Sequence, residues 1–328
     1  MKAIVVHNGE KSPQLVWEEV DDVTYGPDEV LVAVQATAVN RADLAQARGN
    51  YPPPPGASEI LGLEMAGVIE AVGENVSDWA VGDRVCALLP GGGYAEKAAV
   101  PAAMLLRLPD EWSFAQGTAV PEVWLTAFVN LFLEGDLQKG ETVLIHAGGS
   151  GVGTAAIQLA HAVGARVFMT AGASEKLKTG RRLGADLTIN YKEQDFHDVI
   201  MAATDGAGVD LILDPVGADY LARNVALLKR FGRLVLIGLL SGSRGELDLS
   251  HLLRKRLRLV GSTLRTRPPA EKISITREFE ARFWPMLVSG ELKPIIDTTF
   301  PLPEAQAAHE YVRQNKNTGK VILTLAET

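Results

Sequence analysis

The sequence predicts an α/β protein in which a β-rich domain is interrupted by an inserted, doubly wound nucleotide-binding domain, and three observations predict it. The first 120 residues are dense in short β-forming runs and turns. From residue 142 onward strand and helix patterns alternate, and the tail after about residue 266 contains short strands that need a sheet to join. At 328 residues the chain also exceeds the roughly 100–200 expected of one domain. The limits read from the sequence are 1–122 with 266–328 for the β-rich domain and 123–265 for the inserted one.

Taken in order, β-forming runs lie at 3-AIVV-6, 29-EVLVAVQATAV-39, 67-GVIEAVG-73 and 84-RVCALL-89, separated by turns such as 25-YGPD-28 and 52-PPPPG-56. A helix entered at a proline is expected over 121–135. Strands follow at 142–146, 165–170, 185–190, 209–214, 233–238 and 257–262, with helices at about 152–163, 174–183, 194–203 and 219–229. Such alternation places a parallel sheet between two helical layers, with its ligand outside the carboxyl ends of the strands. A helix near 272–289, a strand in 294–302, a helix at 303–313 and a strand at 320–325 complete the chain, and the tail strands are expected to rejoin the N-terminal module.

Composition narrows the function classes. With 47% hydrophobic and 22% charged residues the chain reads as an ordinary globular protein. Lys plus Arg is 32 against 40 acids, and the net charge of −8 does not favour a nucleic-acid groove. The densest basic stretch, 254-RKRLRLVGSTLRTR-267, reads as a charged strand edge and loop. Cys86 is the single cysteine, which excludes an intrachain disulfide and a multi-cysteine zinc site and fits a reducing compartment. The apolar run at the N-terminus is too short for a signal peptide, and no window approaches the roughly 20 apolar residues of a membrane span. A cytoplasmic protein is expected.

The turn in 142-TVLIHAGGSGVGTAAIQLA-160 carries the strongest chemical signal. Its glycines, Gly148, Gly149, Gly151 and Gly153, do not fit Gly-x-Gly-x-x-Gly, and Ser150 stands where the looser pattern has its middle glycine. The turn nevertheless follows the first strand of the alternating region and opens a helix, where backbone N–H groups meet a pyrophosphate. Gly149, Ser150, Gly151 and Val152 are the candidate contacts. An NAD site usually has an acid about 20 residues on, at the tip of the second strand. Here 168-FMTAGASEK-176 offers Gly172, Ser174 and Lys176 instead, a set suited to a 2′-phosphate, and NADPH is the expected cofactor. Ser174 also fits a helix N-cap and Lys176 a solvated helix face.

The segments 39-VNRADLAQARGNYPPPPGASEILGLE-64, 90-PGGGYAE-96, 121-PEVWLTAF-128, 145-IHAGGSGVGTAAIQLA-160, 189-INYKEQDF-196 and 315-NKNTGKVIL-323 resemble one family. They are similar to the zinc-free quinone oxidoreductases related to zeta-crystallin, within the medium-chain dehydrogenase/reductases, above all to the p53-inducible branch. The segment 62-GLEMAGVIEAVGENV-76 is similar to the zinc alcohol dehydrogenase signature Gly-His-Glu-x2-Gly-x5-Gly-x2-Val, with Leu63 in place of the histidine. The resemblance puts Asn40 in the thiolate position, and six histidines at 7, 146, 161, 197, 251 and 309 show no ligand spacing, so no metal is expected.

What the resemblance implies is a GroES-like β-rich domain around a Rossmann domain, and NADPH:quinone oxidoreductase activity. A quinone accepts reducing equivalents without a Lewis acid. The family pattern places Asn40, Tyr51 and Thr126 at the acceptor, with Thr126 also near the cofactor, Tyr191 beside the adenine ribose phosphate, and Asn315 close to the cofactor. Ala45 stands where some relatives carry an aromatic residue. A homodimer pairing the sixth-strand edge, 257-LRLVGS-262, is implied as well. Each residue also has a purely structural reading: Asn40 as a turn amide, Tyr51 as packing, Thr126 as a helix hydroxyl and Tyr191 as a strand-end aromatic. Two other functions remain open. One is reduction of enones or enoyl groups with Tyr51 as the evident proton donor, and the other is an NADPH-binding structural or RNA-binding protein with little turnover.

Overall fold

In the computed structural model, whose described residues are 1–7, 9 and 12–325, the chain divides into two compact units. Met1–Leu125 and Arg265–Thr328 form the first, and Thr126–Leu264 the second. Residues 326–328, at the end of the expected β-rich domain, lie outside the described residues.

The first unit is built on a seven-stranded sheet. Its order is Ile296–Pro301, Lys320–Thr324, Glu29–Val39, Glu64–Val72, Arg84–Leu88 and Leu105–Arg107, with Lys97–Pro101 also paired to Glu29–Val39. The long strand Glu29–Val39 holds this sheet together because alternate residues Val30, Val32, Val34, Ala36 and Ala38 are buried on one face. The tail strand Lys320–Thr324 pairs with it antiparallel, from Val321 opposite Val39 to Thr324 opposite Ala36. The chain therefore returns to its first module after the insertion, as the short tail strands required. Cys86 sits in the inner strand Arg84–Leu88, fully buried, and burial pushes its thiol pKa up, helped by the charges of Glu64 and Glu280.

The second unit is a six-stranded parallel sheet in the order Leu187–Asn190, Arg166–Ala171, Thr142–Ile145, Val209–Asp214, Leu228–Leu236 and Arg258–Gly261. In chain order this is 3-2-1-4-5-6, the doubly wound arrangement, so the switch point falls between Thr142–Ile145 and Val209–Asp214. Helices Gly151–Ala162, Ser174–Arg182, Phe196–Ala203 and Ala218–Leu227 connect the first five strands.

Two expectations are corrected, and several short elements were not foreseen. The helix expected over 121–135 is α-helical at Pro121–Phe128 and turns to π geometry at Val129–Leu133. Asn130 contributes there, since its Nδ2 donates to the carbonyl of Thr126 at 2.7 Å and competes with the backbone ladder. The fifth strand begins at Leu228 rather than 233, because helix Ala218–Leu227 runs directly into it and Leu228 pairs with Val209 before a register shift. Short elements, including strands Gln14–Glu19 and Lys97–Pro101 and helices Arg41–Ala47 and Leu249–Lys255, carry too few residues to show a period.

Candidate active site

The nucleotide half of the site is assembled at the carboxyl ends of the strands in the second unit. Ser150 is the N-cap of helix Gly151–Ala162, and its hydroxyl oxygen accepts from the Gly153 N–H at 3.0 Å. The serine thus closes the turn itself and leaves the N–H groups of the first turn, beginning at Gly151 and Val152, at the positive end of the helix dipole. A Cβ on Gly149 would lie 2.7 Å from Cδ and 2.9 Å from Cγ of Lys176, so the lysine stem rests on the glycine turn. At Gly172 a Cβ would lie 2.6 Å from the Tyr191 hydroxyl and 3.0 Å from Cε of Lys192. Gly149 is thus brought to Lys176, and Gly172 to Tyr191 and Lys192, the last a cation absent from the candidates read in the sequence although it follows Tyr191 directly. Ser174 is exposed and is the first residue of its helix, whose N-cap is Ala173.

Beneath this turn runs a buried polar relay. His146, 1% exposed, faces the Thr170 hydroxyl at 2.9 Å through Nδ1 and Asn224 Oδ1 at 2.8 Å through Nε2. Asn224 Nδ2 donates to Asp214 at 3.0 Å, which turns its oxygen to the imidazole, so Nε2 carries the proton and Nδ1 accepts from Thr170. Burial pushes the His146 pKa down to about 4 and the Asp214 pKa up to about 6. Asp214 also accepts the backbone N–H groups of Val216 and Gly217. The relay thereby ties the strand ahead of the glycine turn, where Ala147 takes a left-handed φ of 51°, to the 214–217 turn.

In the first unit Asn40, Glu64 and Lys320 form a second buried cluster. The Lys320 ammonium, 3% exposed, donates to Glu64 Oε1 at 2.6 Å, Asn40 Oδ1 at 2.7 Å and the Val39 carbonyl at 3.3 Å. Asn40 Nδ2 donates to the same Glu64 oxygen at 2.8 Å, and Glu64 Oε2 accepts from the Glu122 N–H at 2.8 Å. The Asn40 amide is therefore engaged inside the protein. The donor set does not fit a catalytic zinc: Leu63 has no ligating atom and a buried ammonium occupies the neighbourhood of Asn40 and Glu64. Among the described residues no group of three or more His, Cys, Asp or Glu is arranged to hold a metal.

Asp43 lies beside this cluster, accepting the N–H groups of Asn40 at 2.7 Å and Gly62 at 3.1 Å. The Tyr94 hydroxyl lies 3.4 Å from Asp43 and 3.0 Å from His309 Nε2. Burial raises Asp43 to about 6 and lowers His309 to about 4.

Tyr51 is half-buried, and Arg265 holds it. The guanidinium, 5.4 Å from the Tyr51 ring centroid, donates to the Tyr51 carbonyl at 3.3 Å, the Pro90 carbonyl at 2.8 Å and Gln46 Oε1 at 2.8 Å. Burial, then the Glu122 charge, raises the phenol pKa against the opposing pull of Arg265. Tyr51 thus keeps its proton at neutral pH. Thr126 is half-buried and is the first residue of the second unit, whereas Asn315 belongs to the first, exposed at a left-handed φ of 56° with its side chain accepting from Arg41.

Comparison with known proteins agrees with this architecture. Residues 26–110 match the alcohol dehydrogenase GroES-like domain and residues 151–280 the zinc-binding dehydrogenase family, which defines a two-domain dehydrogenase. A 2-haloacrylate reductase from a Burkholderia species is 33% identical over 98% of both chains. Human quinone oxidoreductase is 33% identical over 90% of this chain and 89% of its own. The crystal structure of a quinone oxidoreductase from Pseudomonas syringae pv. tomato superposes with a TM-score of 0.88 at 31% identity, covering 99% of this chain and 100% of that one. The chain belongs to the medium-chain dehydrogenase/reductase superfamily, among its quinone oxidoreductase-like members, and is an NAD(P)H-dependent oxidoreductase.

Proposed function

We propose that the chain is an NADPH-dependent reductase of quinones that works without a metal. The carrying observation is the Lys320–Glu64–Asn40 cluster, which puts an internal ion pair where the family's alcohol dehydrogenases place ligands to a Lewis acid. Alcohol oxidation is disfavoured on such a site, and an acceptor that needs no polarising metal fits it. When bound, NADPH supplies the hydride. Gly149, Ser150, Gly151 and Val152 would hold its pyrophosphate, and Gly172, Ser174, Lys176 and Tyr191, with Lys192, its 2′-phosphate. Tyr51 presents a neutral phenol as hydrogen-bond donor to the reduced oxygen, while Asn40 acts by holding Lys320 and Glu64. Thr126 and Asn315 are assigned to the acceptor and cofactor on family resemblance.

In this reading residues 1–122 and 266–328 bind the acceptor and 123–265 the cofactor. The edge strand Arg258–Gly261, hydrogen-bonded on one side to Leu228–Leu236, pairs with a second copy to give a homodimer. No helix among the described residues is long and apolar enough to cross a membrane, and the single cysteine favours a cytoplasmic setting.

A second reading, reduction of activated carbon–carbon double bonds, is favoured by the similarity to a 2-haloacrylate reductase and by the protonated Tyr51. NADPH oxidation measured with 1,2- and 1,4-quinones and with enones separates the two. Faster turnover of quinones is expected; a clear preference for enones selects the second reading, and no turnover of either class overturns both.

A further inference from the structure

Lys272 lies near the N-terminus of helix Pro269–Val288 and is 8% exposed. That end of a helix repels a cation, and burial lowers the pKa of this ammonium, against the opposing charge of Glu122 and with that of Arg265. Its one hydrogen-bond partner among the described residues is the Arg265 carbonyl at 3.3 Å, and no carboxylate there lies within ion-pair distance. The opposing charge on this ammonium is Glu122, which acts on it from beyond ion-pair distance, so the buried cation is only partly compensated by the protein.

The surroundings locate it. Arg265, whose carbonyl takes the Lys272 bond, lays its guanidinium over Tyr51. Glu122 is the one charged group that acts on Tyr51, Arg265 and Lys272 alike, so all four belong to one neighbourhood. Arg265 engages three of its five N–H groups with Pro90, Tyr51 and Gln46 and stays fixed against the ring, whereas the Lys272 ammonium engages one of its three.

We propose that Lys272 binds an anionic oxygen of the substrate, so that the preferred acceptors carry a carboxylate or a similar fixed negative group in addition to the carbonyl that meets Tyr51. This rests on the reductase reading and adds a substrate class to it. A static structural lysine would instead have its donors filled by protein oxygens, as Lys320 does.

The test compares phenyl-1,4-benzoquinone bearing a para carboxylate with its methyl ester, at saturating NADPH. Lys272→Met should lower kcat/KM for the acid about tenfold or more, mainly through KM, and leave the ester within about twofold, with Lys272→Arg restoring most of the loss. Equal effects on acid and ester overturn the proposal. Because the methionine variant can fail to fold, the wild-type enzyme is also titrated with benzoate and benzamide, following quenching of bound NADPH fluorescence. Benzoate should bind and benzamide should not; equal binding overturns the proposal. If neither quinone is turned over yet benzoate binds selectively, the reductase reading fails and the anion site stands.

Discussion

Lys176 and Lys320 show two different uses of one residue type. Lys176 lays its stem on Gly149, and it is proposed above to meet the 2′-phosphate. Lys176→Ala should raise the KM for NADPH about tenfold, near 1.4 kcal/mol, with little change for NADH, measured by steady-state kinetics with both cofactors. Lys320 is held entirely by protein. Lys320→Met strands the Glu64 carboxylate in the interior and should cost about 3–5 kcal/mol in urea unfolding, much of it recovered by Glu64→Gln in the same chain. The first lysine could be named as a candidate from the sequence because strand tip, turn and helix are local. The second was not, since its Glu64 partner is 256 residues away, and Arg265 is likewise 214 residues from Tyr51. Leu63 marked a missing ligand, but nothing local marked the cation beside it.

Among the elements, the pairing of helix Ser174–Arg182 with strand Arg166–Ala171 turns on Met169. A Cβ on Gly180 would lie 1.9 Å from the Met169 sulfur, and one on Gly148 would lie 2.6 Å from its terminal methyl. The buried methionine therefore fills space left by two glycines, one on the helix and one in the phosphate turn. Gly180→Ala should destabilise the protein by about 1–3 kcal/mol despite alanine's better helix propensity, and should weaken NADPH binding by pushing Met169 against Gly148. Thermal unfolding and a fluorescence titration check the two halves of this expectation. The alternation of strands and helices was readable because each is long enough to show its period and glycines punctuate the joins. The break at Val129–Leu133 was not, because π and α turns share the same apolar pattern and differ in backbone bonds such as Glu134 N–H to the Val129 carbonyl, with the Asn130 contact to the Thr126 carbonyl beside them.

Across the whole molecule, each unit buries a neutral histidine linked through one polar group to a carboxylate: His146 through Asn224 to Asp214, and His309 through Tyr94 to Asp43. The histidines have folded pKa values near 4, below the unfolded value, so acidification from pH 6.5 to 4 favours the unfolded chain. The aspartates have folded values near 6, above the unfolded value, so acidification from pH 6 to 3.8 favours the folded chain. The two effects oppose each other across nearly the same window. Asp214→Asn should remove one side of that balance, and its stability should fall more steeply than the wild type between pH 6 and 4, by about 2 kcal/mol, as read from urea midpoints. Light scattering at micromolar concentration should give the mass of two chains, and a monomer would remove the proposed pairing at Arg258–Gly261.

Quinones arylate thiols and activated alkenes alkylate them, and an enzyme that turns either over is exposed to its own substrates. Cys86, the one thiol in the chain, is enclosed in the inner strand Arg84–Leu88 with its ionisation suppressed by burial. The fold thus denies thiol-directed electrophiles a target while it processes them. Prolonged incubation with N-ethylmaleimide should leave NADPH oxidation unchanged, and inactivation in step with Cys86 labelling would show that the strand opens far enough to be poisoned.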